Sequence, residues 1–283
     1  GGPTPGLPEN AIPTMDALLA AQPAIMEVDV GQSADGVLFL LHDDMLDRTT
    51  TGTGAAAAQD WAALSQLKLK DNWGWVTPYA IPRLDEALAW AKGRTVLQID
   101  FKRSANVDAV VSAIRAAEMG GSVILIAYSV EQAASLHRAA PEMLLSVSVD
   151  AAEEVATLKA AGIPEARMVA FTGTRLPRPE LYRELDQQNI EVIFGTLGRP
   201  PRAIDAVIDR YGREAAPDLH RVAIAARRHP NVRSRPVGRR LCTKHPCTSA
   251  GSDHRPIWLW PRLWGHRWPG RWVTDSTQCP WGS

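Results

Sequence analysis

The chain has 283 residues, 45% hydrophobic and 22% charged, an ordinary globular composition with the length for one large domain or two small ones. Its 31 Lys and Arg balance 31 Asp and Glu, and no stretch approaches the ~18 apolar residues of a membrane span, so wholesale disorder and stable membrane insertion are excluded. The neutral total hides a split: residues 1–211 hold 27 acids and 18 bases, whereas residues 212–283 hold 4 acids and 13 bases.

The opening, Gly1-Gly2-Pro3-Thr4-Pro5-Gly6, reads as a loop. Neither an initiator Met nor an apolar signal segment stands there, so a processed chain or a fragment is expected, and cytoplasm, periplasm and secretion stay open as compartments. Short strand-like runs follow at Met26–Val30, Val37–Leu41, Val96–Phe101, Val123–Ala127, Leu144–Val149, Met168–Phe171 and Glu191–Phe194. Helical patterns lie between the later ones, at Val107–Glu118, Val130–Ala139, Ala152–Ala161 and Pro177–Gln188. Strand–helix alternation predicts an α/β fold with a parallel sheet, and units of roughly two dozen residues from Val96 onward suit a (β/α)8 TIM barrel. No G-x-G-x-x-G follows any of these strands, which disfavours a dinucleotide-binding sheet.

The segment 212–283 has a different character. It gathers Cys242, Cys247 and Cys279, five of the seven histidines and six of the ten tryptophans. Prolines at 230, 236, 246, 256, 261, 269 and 280 interrupt any long helix. Such a basic, aromatic tail could stack on nucleic acid, but no fold or repeat holds the aromatics. Cys242, His245, Cys247 and His254 could bind zinc, but their spacing matches no standard finger. The favoured reading is an anomalous, disordered or frame-shifted tail, since a GC-rich gene read out of frame yields much this mixture. No nucleic-acid partner is therefore expected.

Three carboxylates stand on predicted strands. Period-2 alternation in Met26-Glu27-Val28-Asp29-Val30 puts Glu27 and Asp29 on one face and the apolar residues on the other. Gln98-Ile99-Asp100-Phe101-Lys102 repeats the scheme, with Asp100 and Lys102 opposite Ile99 and Phe101. Buried ionised carboxylates cost several kcal/mol unless paired or coordinated, so three together suggest one hard divalent cation, Mg²⁺ or Ca²⁺. An outward face, or simple pairing with Arg or Lys, is the alternative for each acid alone.

His42 ends the apolar run Val37–Leu41 and precedes Asp43-Asp44, a post-strand position where (β/α)8 enzymes place catalytic groups. Imidazole suits proton transfer near neutrality, although a solvated loop histidine has the same local sequence. Arg48-Thr49-Thr50-Thr51-Gly52-Thr53-Gly54 supplies hydroxyls and flexible amides useful for phosphate, and equally ordinary in a loop.

Taken together, Pro8-Glu9-Asn10, Glu27-x-Asp29, Asp35-Gly36-Val37, His42-Asp43 and Arg48-Thr49-Thr50-x-Gly52-x-Gly54 resemble the glycerophosphodiester phosphodiesterases in order and spacing. Ile81-Pro82-x-Leu84-x-Glu86-x-Leu88 and Asp100-x-Lys102 continue the match to about residue 105, and the repeating units extend it to about 211. The resemblance implies a (β/α)8 barrel over 1–211 that cleaves glycerophosphodiesters to an alcohol and glycerol 3-phosphate with Ca²⁺ or Mg²⁺. It makes Glu27, Asp29 and Asp100 metal ligands, His42 the general acid, Lys102 the stabiliser of phosphate charge and Arg48 a further substrate contact. Attack by the glycerol 2-hydroxyl, by way of a cyclic phosphate, goes with it. A phospholipase-type barrel acting on intact lipid, and a catalytically dead barrel serving as a binding module, are the other readings.

Two departures bear on activity. The family opens with an Ala-His-Arg-Gly-like strand end, and this chain begins at Gly1-Gly2, directly after where that His-Arg would stand. The family's eighth strand is not recognisable either. A barrel lacking both is expected to be open along adjacent edges, poorly folded and inactive.

Overall fold

The computed structural model describes residues 5–21, 24–173, 179–195 and 222–225. Ten strands and seven α-helices run in chain order: α1 Ile12–Ala21, β1 Met26–Gln32, β2 Leu38–Leu40, α2 Trp61–Leu64, β3 Lys68–Lys70, β4 Val76–Ala80, α3 Leu84–Ala91, β5 Leu97–Phe101, α4 Val107–Ala116, β6 Val123–Ala127, α5 Val130–Ala139, β7 Leu144–Ser148, α6 Ala152–Ala160, β8 Met168–Phe171, α7 Pro179–Gln187, β9 Glu191–Gly195 and β10 Val222–Ala225. Eight strands form one sheet in the order β10-β9-β8-β7-β6-β5-β1-β2, and β3 and β4 form a separate hairpin. Each pairing from β1 to β10 through the sheet is parallel.

Alternation along each strand sorts side chains onto two faces. Met26, Val28, Leu97, Ile99, Val123, Leu125, Leu145, Val147, Met168 and Ala170 pack beneath the helices in the main core. The opposite face carries Ile25, Val96, Ile124, Leu144, Val169, Phe171 and Ile193 as a smaller apolar layer. Glu27, Asp29 and Asp100 follow this layer along their strands, so carboxylates stand above an apolar floor toward the strands' C-terminal ends. Two helices start at a side-chain cap: Asn106 Oδ1 accepts the Ala109 amide at 3.0 Å before α4, and Ser129 Oγ accepts the Gln132 amide at 3.2 Å before α5.

The strand–helix alternation therefore stands, with two differences. Val37–Leu41 does not form a parallel barrel strand. β2 is three residues long and antiparallel to β1, with Val30 opposite Leu40 and Gln32 opposite Leu38. Its connection is too short for a parallel crossover, and Gly36, at φ +88°, closes the turn where a side chain would be strained. The second difference is β10, which lies beyond residue 211 in the short apolar run Val-Ala-Ile-Ala and pairs in parallel with β9. Among the described residues β2 and β10 are the two edges of the sheet and do not pair with one another, so the barrel is not closed. The candidate zinc residues Cys242, His245, Cys247 and His254, and the other tail residues past 225, lie outside the described residues. Among the described residues no helix is long and apolar enough to cross a membrane.

Candidate active site

β1 and β5 are neighbours in a register that sets Asp29 beside Asp100 and Glu27 beside Gln98. The three carboxylates converge, each offering an oxygen within 4.8 Å of the others'. Asp29 and Asp100 are only 3% and 7% exposed, whereas Glu27 keeps access to solvent. Lys102, two residues past Asp100, turns its ammonium back between them, with Nζ 2.6 Å from Asp29 Oδ1 and 2.9 Å from Asp100 Oδ2. Burial opposes the charge on Lys102, and the bonds to Asp29 and Asp100 outweigh it, so its pKa is raised.

Asp29 is further held by Asn10, whose Nδ2 donates to Asp29 Oδ2 at 2.7 Å and whose Oδ1 accepts the Asp29 amide at 2.9 Å. Asp100 Oδ1, in contrast, is buried and has no hydrogen-bond partner among the described residues. An orphaned carboxylate oxygen at that depth is costly unless something coordinates it. Hard oxygen donors within 4.8 Å of one another match Ca²⁺, whose ligands sit at about 2.3–2.6 Å and so lie up to about 5 Å apart across the ion; Mg²⁺ fits with tighter closure. The residues present fit a divalent cation.

His42 reaches the same neighbourhood by way of the β1–β2 hairpin. The Leu41 amide donates to the Asp29 carbonyl at 3.0 Å, so the residue after it is carried back beside β1. His42 Nδ1 lies 2.7 Å from Asp43 Oδ1, which leaves Nε2 as the nitrogen able to serve a substrate. Arg48 grips Asp43 through Nε at 2.5 Å and Nη2 at 2.8 Å, and grips Glu9 at 2.6 and 3.2 Å. The Arg48 bonds foremost, with burial opposing and His42 assisting, hold the Asp43 carboxyl down at about 2. Asp43 is therefore ionised throughout the neutral range. The guanidinium of Arg48, the sequence-predicted phosphate contact, is directed at these two carboxylates while remaining half exposed.

A cleft of about 310 Å³ adjoins this arrangement, lined in part by Phe39, Leu41, Asp43, Asp44, Lys102 and Ser104. The structure thus brings Glu27, Asp29, Asp100 and Lys102 into one cluster and holds His42 beside Asp43, on the segment that returns along β1. Three contributors were missed in the sequence. Glu9 and Asn10 drew notice as part of a motif, but not as partners of Arg48 and Asp29, from which they are separated by 39 and 19 residues. Tyr128, the first residue after β6, is largely exposed, yet its phenol is pushed up to about 12 by desolvation first and then by the charge and hydrogen bonding of the Asp100 carboxylate, and so stays protonated. Its place at a strand's C-terminal end was the available signal.

Comparison with known proteins bears on the family and the fold. The model of the Glycerophosphoryl diester phosphodiesterase family matches residues 2–207. The glycerophosphodiester phosphodiesterase of Bacillus subtilis (strain 168) is 22% identical over an alignment of 238 positions that covers 76% of this chain and 75% of the relative. The crystal structure of a glycerophosphoryl diester phosphodiesterase from Parabacteroides distasonis ATCC 8503 superposes with a TM-score of 0.70 at 26% identity, covering 79% of each chain. A phosphodiesterase of Oleispira antarctica, solved with the product sn-glycerol-3-phosphate, shares the fold with a TM-score of 0.58 at 17% identity, over 75% of this chain and 87% of that one.

Proposed function

Because the chain belongs to the Glycerophosphoryl diester phosphodiesterase family, we propose that its 1–211 unit hydrolyses glycerophosphodiesters to an alcohol and glycerol 3-phosphate, with one divalent cation, Ca²⁺ or Mg²⁺. The observation that carries this is the buried, unpartnered Asp100 Oδ1 facing a cluster completed by Asp29 and Glu27. Glu27, Asp29 and Asp100 would hold the cation. When bound, it supplies positive charge at the phosphoryl oxygens and lowers the pKa of an attacking hydroxyl.

The chain's own residues account for the rest. Lys102, kept protonated by two carboxylates, presents a fixed positive charge to a phosphate seated above the strands' ends, where charge grows as the bond to the alcohol breaks. His42, with Nδ1 engaged by Asp43, delivers a proton from Nε2 to the departing alcohol oxygen. Arg48 keeps Asp43 ionised, and as a half-exposed cation engaged by Asp43 and Glu9 it adds positive charge beside an incoming phosphate. The product held by the Oleispira antarctica relative, sn-glycerol-3-phosphate, supports this choice of substrate.

The test is release of glycerol 3-phosphate from glycerophosphocholine, with Ca²⁺, with Mg²⁺ and with a chelator. Release that needs a cation and is abolished by Glu27→Ala supports the reading. No release with either cation, from this chain and from one extended upstream by Ala-His-Arg, overturns it.

A further inference from the structure

Pro8-Glu9-Asn10 is a single turn from which two hydrogen-bond chains enter the site. Through Asn10, the turn closes a ring on Asp29, taking both its amide and one carboxylate oxygen at 2.9 and 2.7 Å. Through Glu9, it holds Arg48 by two bonds; Arg48 holds Asp43 by two more, and Asp43 holds His42 Nδ1. Adjacent residues thus fix a metal-ligand candidate on one side and the general-acid candidate on the other.

The turn is itself built to stay in place. Asn10 has φ +52°, in the left-handed region that Asn tolerates better than most residues. The carbonyl of Pro8 accepts the buried Thr14 hydroxyl at 2.6 Å, which ties the turn to α1. The Gly6 amide donates to Asp71 Oδ2 at 2.9 Å, which ties the preceding residues to the turn joining β3 and β4. A group that orients the ligand of a metal or the partner of an acid commonly changes affinity or activity 10–100-fold when removed.

We propose that Glu9 and Asn10 are positioning residues with separable effects: Asn10 sets the Asp29 carboxylate for the cation, and Glu9 sets His42 through Arg48 and Asp43. The inference rests on the reading of this site as a cation-dependent phosphodiesterase.

Two variants, Asn10→Ala and Glu9→Ala, are compared with the parent chain in two measurements: calorimetric titration with Ca²⁺ and Mg²⁺, and turnover of a glycerophosphodiester carrying an alkyl alcohol against one carrying p-nitrophenol, a leaving group that needs no proton. Asn10→Ala should weaken cation affinity by about 10-fold or more and slow both substrates alike. Glu9→Ala should leave cation affinity within about twofold and slow the alkyl substrate about 10-fold more than the p-nitrophenyl one, with Glu9→Gln recovering part of the difference. A purely structural role would lower both readouts together. Equal losses in both variants, or no loss in either, overturn the proposal, and the conservative pair Asn10→Ser and Glu9→Gln decides if an alanine variant does not fold. A parent chain that binds a cation but turns over neither substrate refutes the assigned reaction instead, and the titration still judges Asn10.

Discussion

Asp29 and Asp100 are register partners on adjacent parallel strands, and a single ammonium, Lys102 Nζ, bridges them at 2.6 and 2.9 Å. Two nearly buried carboxylates side by side repel each other, and the lysine is what makes the pair tolerable before any cation binds.

Lys102→Met should therefore destabilise the cation-free protein. Removing one partner of a buried charge cluster costs roughly 3–5 kcal/mol, and the residual exposure of Lys102, 17% of its side chain, brings the expectation down to about 2–3 kcal/mol. Thermal melts check this, and Ca²⁺ or Mg²⁺ should return part of the loss by supplying positive charge at the same carboxylates.

Asp100→Asn keeps the shape of the side chain and removes the charge of the orphaned oxygen. In the parent chain, a cation at about a hundredfold excess over its Kd should stabilise the fold by about 2.7 kcal/mol. In the variant that cation-dependent rise in melting temperature should nearly vanish. An unchanged rise would place the cation elsewhere.

His42→Gln should lower kcat on an alkyl glycerophosphodiester by about 10²–10⁴-fold, the usual range for a general acid. Turnover of a substrate with a p-nitrophenol leaving group should fall far less. Equal loss on both would show that His42 binds substrate rather than donating a proton.

The sheet was readable from sequence because its strands are short apolar runs with helices between them. β6 and α5 fall on the residues the pattern marks, Val123–Ala127 and Val130–Ala139. β3 and β4 were not legible: Lys68–Lys70 and Val76–Ala80 are short, and their exposed faces carry Lys68, Val76 and Ala80 without a clean alternation. The antiparallel direction of β2 depends on the length and turn geometry of Ser33–Val37 rather than on the run itself. At the site, Glu27, Asp29, Asp100 and Lys102 could be assembled because each pair sits on one face of one strand. Glu9 and Asn10 could not, since what they do depends on a contact across 39 and 19 residues that no local period encodes.

Asp43 gives the acid limb of stability a specific source. Its carboxyl is held down at about 2, and a carboxylate near 3.9 when unfolded contributes stability that is present above that value and lost as pH falls toward 2. The melting temperature should decline between about pH 4 and 2, and Asp43→Asn should flatten part of that decline. With Arg48 half exposed, solvent screening keeps the contribution below about 1 kcal/mol.

Gly52 lies in the loop that presents Arg48. A Cβ there would stand 2.6 Å from Leu67 Cδ1 and 3.2 Å from Leu46 Cδ1. Leu67 is only half-buried and can turn aside, so Gly52→Ala should cost about 1 kcal/mol, the low end for overpacking. Denaturant unfolding measures it, and a stabilised variant would contradict the packing described.

The unclosed sheet has its free edges at β2 and β10, and the candidate ligands sit on β1 and β5, each with a hydrogen-bonded strand on both sides. Unzipping from the β10 edge has to pass β9, β8, β7 and β6 before it reaches Asp100. Amide exchange should accordingly be graded, fastest at the β10 and β2 edges and slowest along the central β6 and β7. From the other edge only the three-residue β2 shields Glu27 and Asp29, so the chemistry stands one short strand from the open seam.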